Sequence, residues 1–263
     1  MCELLGMSAN AALDLRFSWR AFRRRGGGNG PHRDGFGVGV YRDDGYHDFH
    51  DLSPAAESPL ADFLANTIVP ATTLLGHIRQ ANEGSIELQN TYPFTREMGG
   101  RLWCYAMQGQ LAGYEALPLS GRFTPQGSTD GEHAFCWLLD RLSEIDRSDS
   151  AAVAALMDVC GERLAGMGVF NALLSDGRTL YAYASKPMHW LTRRAPFGVA
   201  NALDSGERLD LAVHCDEANV HTLIVTQPLT DEPCWQVMPA NRAVAFRAGE
   251  RLTRDVHETF SRG

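Results

Sequence analysis

The side chains with the most chemical capacity in this chain are Cys2, Arg79, the Gln108-Gly109 pair and Asp130. Cys2 directly follows the initiator methionine. Processing commonly removes Met1 before so small a residue, so the mature chain is expected to begin with Cys2. Such a residue carries a thiol and a free α-amine on one Cα. The thiolate is the nucleophile, and an amine with a reference pKa of about 7.7–8 can take the thiol proton near neutrality. Arg79 ends the apolar run of GHIRQAN, where a guanidinium either pairs at the surface or clamps a carboxylate bidentately. Gln108-Gly109, in AMQGQL, follows another apolar run. It reads as an ordinary turn, or as a carboxamide plus a backbone N–H aimed at an oxyanion. Asp130 stands where a helix is expected to start, so it either complements the helix dipole or faces a ligand. His47 and His50 have metal-ligating side chains, but no third ligand lies near them in sequence. The glycine run Gly26–Gly28 lacks the Gly-Lys-Ser/Thr ending of a phosphate loop.

Elements able to position these residues are legible in the pattern. Runs rich in β-branched, aromatic and leucine residues predict strands at 36–41, 73–78, 101–107, 169–175, 179–184, 189–194 and 221–226. Asp176-Gly177 between two of them is a hairpin signal. Phe135, Leu138, Leu139, Leu142 and Ile145 draw one apolar helical stripe. Thr129-x-x-Glu132 ahead of it fits a capping box, which places Asp130 in the first turn. A second helix is expected from about Ala151 to Met167, and a shorter one at 59–65. Hairpin-linked strands with helices between strand groups predict α+β layers rather than a strict βαβ alternation.

Composition narrows the function classes. The chain has 263 residues and no repeat or Pro/Ser-rich linker, so residues 1–263 are expected to form one domain. Its formal net charge of −8 argues against nucleic-acid binding, which needs a basic footprint. The cluster Arg23, Arg24, Arg25 is read as solvated or locally paired. The six cysteines show no C-x-x-C pair, and the N-terminus has no signal-peptide pattern. Free thiols in a cytoplasmic protein, with no membrane partner and no metal or cofactor, are the simplest expectation.

Beyond the individual residues, MCELLGMSAN, GPHRDGFGVGVY (30–41), GHIRQAN (76–82), NTYPF (90–94), YAMQGQL (105–111) and STDGEHAFCWLL (128–139) occur in this order. The series resembles the class II, N-terminal-nucleophile glutamine amidotransferases, in particular the small stand-alone bacterial type. The resemblance implies a four-layer α-β-β-α sandwich and an N-terminal Cys thioester route for cleaving the γ-amide of glutamine or a γ-glutamyl compound, with release of ammonia. It implies Cys2 as nucleophile, Arg79 as holder of the α-carboxylate, Asp130 as holder of the α-amine, and Gly109 as one oxyanion donor. It also implies a separate synthase subunit as a candidate ammonia acceptor. One departure stands out. Met107-Gln108-Gly109 occupies the place of a usual His-Asn-Gly, so Gln108 replaces the Asn whose carboxamide is the second oxyanion donor. That substitution keeps open an alternative, a glutamine-binding or regulatory protein with impaired turnover.

Overall fold

The computed structural model describes residues 2–14 and 16–253. In chain order, β1 is Glu3–Leu13, α1 Arg16–Arg23, β2 Phe36–Arg42, β3 Gly45–Asp51, α2 Pro59–Asn66, β4 Ala71–Ile78, β5 Phe94–Met98 and β6 Arg101–Leu111. These are followed by α3 Asp130–Leu142, α4 Ser150–Ala165, β7 Gly168–Ser175, β8 Leu180–Ala184, β9 His189–Arg193, β10 Val199–Asn201 and β11 Arg208–Asp210. The last elements are α5 Leu211–His214, β12 His221–Val225, β13 Gln236–Val237, β14 Ala243–Arg247 and β15 Glu250–Arg251.

Two antiparallel sheets form the centre. One has the order β13-β9-β12-β1-β4-β2-β3 and the other β15-β14-β8-β7-β6-β5, with β10-β11 as a separate ribbon. Period-two alternation sorts the side chains of β1 onto two faces. Leu5, Met7 and Ala9 pack outward with Phe17, Trp19 and Phe22 of α1 and with Ala61 and Leu64 of α2. Leu4, Leu75 and Ile224 face inward and join the core of the second sheet. That sheet is covered on its far side by α3 and α4, through contacts such as the stacked Tyr105–Phe135 pair at 4.9 Å. The layers are therefore helix, sheet, sheet, helix, as expected for the N-terminal-nucleophile fold.

The predicted strands are present, and the Asp176-Gly177 turn joins β7 to β8 with Ser175 opposite Leu180. Three expectations needed correction. Gln108-Gly109 is not a turn, because β6 runs on to Leu111 and pairs Gln108 with Asn171 and Gly109 with Phe170. The capping box is half made: Thr129 Oγ1 accepts from Glu132 N at 3.2 Å. The Glu132 carboxylate turns instead to Gln126 N, Gly127 N and Arg96. The arginine cluster is not merely solvated. Arg25 is buried and ion-paired with Glu3 and Asp204, and Arg23 pairs with Asp62.

Candidate active site

Cys2 sits at the head of β1, the central strand flanked by β4 and β12. Its neighbour Glu3 is buried and anchors this end of the chain. Glu3 Oε2 accepts from Thr226 Oγ1 and from Arg25 Nη1, the latter at 3.1 Å. Arg25 also donates to the carbonyls of Gln227 and Pro228 at 3.0 and 2.8 Å. A buried, hydrogen-bonded ion pair thus pins the residue next to the nucleophile. Breaking such a pair from one side typically costs about 3–5 kcal/mol.

Register places Glu3 of β1 opposite Ile78 of β4, so the chain leaving β4 passes Cys2 directly. The Cys2 thiol donates to Gln80 O at 3.4 Å and accepts from Gln80 N at 3.3 Å. Burial pushes the thiol pKa up, while the Gln80 contact and the Arg79 guanidinium pull it down. The net shift is upward, so the thiol needs a nearby base to become a nucleophile at neutral pH.

Arg79, the residue before Gln80, is buried. Its Nη2 donates to the carbonyls of Glu83, Gly84 and Ser85 at 3.3, 3.4 and 3.0 Å, which shapes the segment that follows β4. Its Nη1 is buried without a hydrogen-bond partner among the described residues. A buried, unpaired guanidinium nitrogen is costly. Facing the same cavity is Asp130, at the first turn of α3. One carboxylate oxygen accepts from Leu111 N at 2.7 Å and the other from Gly131 N at 2.8 Å. Burial still raises the Asp130 pKa above the ordinary carboxylate value, against the pull of those N–H groups.

The cavity between these groups is lined by Cys2, Arg79, Gln80, Glu83, Gly109 and Asp130, with Tyr92 and Met107 on its walls. Its free volume is about 20 Å³, room for roughly one water molecule. Gly109 has φ +152°, and a Cβ there would lie 1.7 Å from Val169 O, so only glycine fits this point of β6. His77 bridges the sheets beneath the cavity, Nε2 to Met107 O at 3.1 Å. Burial and the Arg79 charge depress its pKa to about 3, so it is a neutral strut.

The cavity thus unites Cys2, Arg79, Gly109 and Asp130. Gln108 lies elsewhere: its side chain projects from the other face of β6, where its Oε1 accepts from Asn171 Nδ2 at 2.7 Å. Asn171 Oδ1 in turn accepts from Ser185 N and Lys186 N. The metal candidates also point elsewhere. His47 contacts Asp44 at 3.0 Å and His50 lies 3.6 Å from Asp48. Among the described residues no group of three or more His, Cys, Asp or Glu is arranged to hold a metal. Sequence reading missed Gln80, whose contribution is its backbone, and Glu83, an exposed acid without a pattern around it.

Comparison with known proteins resolves what family this geometry belongs to. The family profile "Glutamine amidotransferases class-II" matches residues 1–262. The chain belongs to the class-II glutamine amidotransferases. A fellow member from Escherichia coli (strain K12), named "Putative glutamine amidotransferase YafJ", is 46% identical over 255 residues, covering 96% of this chain and 100% of that protein. A crystal structure from Pseudomonas aeruginosa PA01, described as a predicted glutamine amidotransferase, is 36% identical with TM-score 0.73 and covers 96% of this chain and 100% of that one. The glutamine phosphoribosylpyrophosphate amidotransferase of B. subtilis shares the fold alone, at 13% identity and TM-score 0.55, over 94% of this chain and 49% of its own. In this class-II chain, no helix among the described residues is long and apolar enough to cross a membrane.

Proposed function

We propose that this class-II glutamine amidotransferase hydrolyses the γ-amide of glutamine or of a γ-glutamyl compound through a thioester on Cys2. The observation that carries the proposal is the unpartnered, buried Nη1 of Arg79 in the cavity that also holds Cys2 and Asp130. A free amino acid presents a carboxylate and an ammonium on one carbon. Arg79 complements the first and Asp130 the second, which orients the γ-amide toward the Cys2 thiol and makes the attack effectively unimolecular. With Met1 removed, the α-amine of Cys2 takes the thiol proton, and Sγ adds to the amide carbon. The Gly109 N–H stabilises the oxyanion, and losing one such donor typically costs about 2.7–4 kcal/mol. Collapse transfers a proton to the departing ammonia and leaves a thioester, which water then hydrolyses. Ammonia is released or handed to a separate synthase. The cavity as it stands has a free volume of about 20 Å³, and its rim at Asn82 and Glu83 is exposed.

One observation favours a second reading, a glutamine-binding or regulatory protein with impaired turnover. The Gln108 carboxamide is held by Asn171 and does not line the cavity, so one carboxamide donor is missing there. A single set of measurements separates the readings. Intact mass gives the state of Met1, and incubation with 6-diazo-5-oxo-norleucine followed by mass mapping reports the reactivity of Cys2. Labelling of Cys2 together with ammonia release from glutamine supports the hydrolase. Saturable glutamine binding without labelling supports the regulatory reading, and neither behaviour would leave both without footing.

A further inference from the structure

The cavity contains one carboxylate more than an amino acid requires. Glu83 lines it together with Asp130. The side chain is exposed, yet the residue is held by one side-chain and one backbone hydrogen bond. Its Oε1 accepts from Gln110 Nε2 at 3.1 Å, and Gln110 is the neighbour of Gly109 on β6. Its backbone carbonyl accepts from Arg79 Nη2. Glu83 is close enough to Asp130 for its charge to help raise the Asp130 pKa, and both acids raise that of Tyr114.

Counting the ionised groups on the cavity wall gives Arg79 as cation against Asp130 and Glu83 as anions. The other titratable wall groups, Cys2 and Tyr92, have raised pKa values and are uncharged at neutrality. Two carboxylates at the Asp130 end attract a ligand's ammonium, and a ligand without one keeps only its own negative carboxylate, which they repel. We propose that Glu83 is a specificity-determining residue that, with Asp130, selects ligands carrying a free α-ammonium group. This rests on the glutamine-type reading of the cavity and deepens it. Asp130 makes the contact, and Glu83 supplies a second negative charge at the rim, which penalises N-blocked and des-amino analogues.

The role makes two effects that oppose each other in pH. Removing the Glu83 charge weakens attraction for the ammonium at neutral pH. It also removes a neighbour that holds the proton on Asp130, so Asp130 ionises at lower pH and the acid limb of ligand capture moves to lower pH. The groups facing Asp130 are Glu83 from the segment after β4, Tyr105 from β6, Tyr92 and Tyr114. Arg79 and Cys2 share the cavity with it. Glu83 is the carboxylate of this set that Glu83→Gln removes, and the amide is isosteric, so the geometry beside Gln110 is retained.

The test compares two diazoketones on the Met-processed full chain. One is 6-diazo-5-oxo-norleucine, and the other is 6-diazo-5-oxohexanoic acid, which has the same carboxylate and reactive group but no amine. Iodoacetamide gives the intrinsic reactivity of Cys2. In Glu83→Gln the preference for the amine-bearing reagent falls by about two- to fivefold, the range for one partly solvated charge. The iodoacetamide rate stays constant and the acid limb shifts to lower pH. Glu83→Lys lowers the preference further. An unchanged preference and an unmoved acid limb in both variants would overturn the role of Glu83 while leaving the hydrolase reading intact. A wild-type Cys2 that reacts with iodoacetamide and with neither diazoketone would instead overturn the reading of the cavity itself.

Discussion

Arg79→Lys separates the two tasks that the guanidinium performs. Nη2 serves three carbonyls, of Glu83, Gly84 and Ser85, while Nη1 has no partner among the described residues and, in the proposed pose, takes the ligand carboxylate. Lysine keeps the positive charge but has one nitrogen on a flexible stem, which cannot serve both directions. A hydrogen bond to a charged group is worth about 1.5–3 kcal/mol. At about 1.4 kcal/mol per factor of ten, ligand capture should weaken about ten- to hundredfold. The assay is the concentration dependence of Cys2 labelling by 6-diazo-5-oxo-norleucine, with iodoacetamide as the reference. In the proposed pose the α-carboxylate contact is the same in ground and transition states, so the loss belongs mainly in the half-saturation concentration, with any loosened orientation adding a smaller fall in the limiting rate. Thermal unfolding should show a smaller defect, from loosening of the 83–85 carbonyls. A variant with the wild-type half-saturation concentration would refute the assignment of Nη1 to a carboxylate. A variant changed only in limiting rate would do the same.

The remaining predictions probe the supports of the site. Gly109→Ala forces a Cβ to within 1.7 Å of Val169 O at φ +152°, so β6 must shift away from β7. Labelling of Cys2 should fall at least about 100-fold, the scale of a displacement near 1 Å, and labelling at wild-type speed would show that β6 adapts without cost. Arg25→Ala leaves the Glu3 carboxylate buried without its cation. A loss of about 3–5 kcal/mol is expected in denaturant unfolding, and a loss under 1 kcal/mol would mean that Thr226 alone holds Glu3. Ligand capture should have an acid limb. In the proposed pose Asp130 must be ionised to hold the ammonium, and its pKa is raised by burial, so capture should be full above that raised value and lost as pH falls through it. The midpoint should lie above that of an ordinary aspartate, and a pH-independent labelling rate across that range would remove Asp130 from the site.

What the sequence disclosed and what it hid divide along physical lines. The stripe of α3 and the Asp176-Gly177 hairpin could be read because one is a local apolar repeat at helical spacing and the other a turn with a glycine at positive φ. The strand that carries Cys2 could not. β1, ELLGMSANAAL, is a central strand buried on both faces along Glu3–Ala9, so its small and apolar residues do not alternate with polar ones. α1 was also unread, since RFSWRAFR has little length and its buried face is visible only once α2 is packed beside it, through Trp19 Nε1 to Ala61 O at 3.0 Å. The site shows the same split. Cys2, Arg79, Gly109 and Asp130 were nameable because their chemistry resides in residue type, and the order of the motifs tied them to one family. Gln80 was not, because it acts through backbone atoms. The orientation of Gln108 was not, because it depends on which face of β6 the residue occupies. Period two gives the reason. With Gly109 on the cavity face, residue 108 must project from the other, and there Asn171, paired with it across β7, takes up its carboxamide. The Gln108 carboxamide is therefore engaged by its register partner on β7. Read this way, Asn171 belongs to the question of turnover as much as Gln108 does.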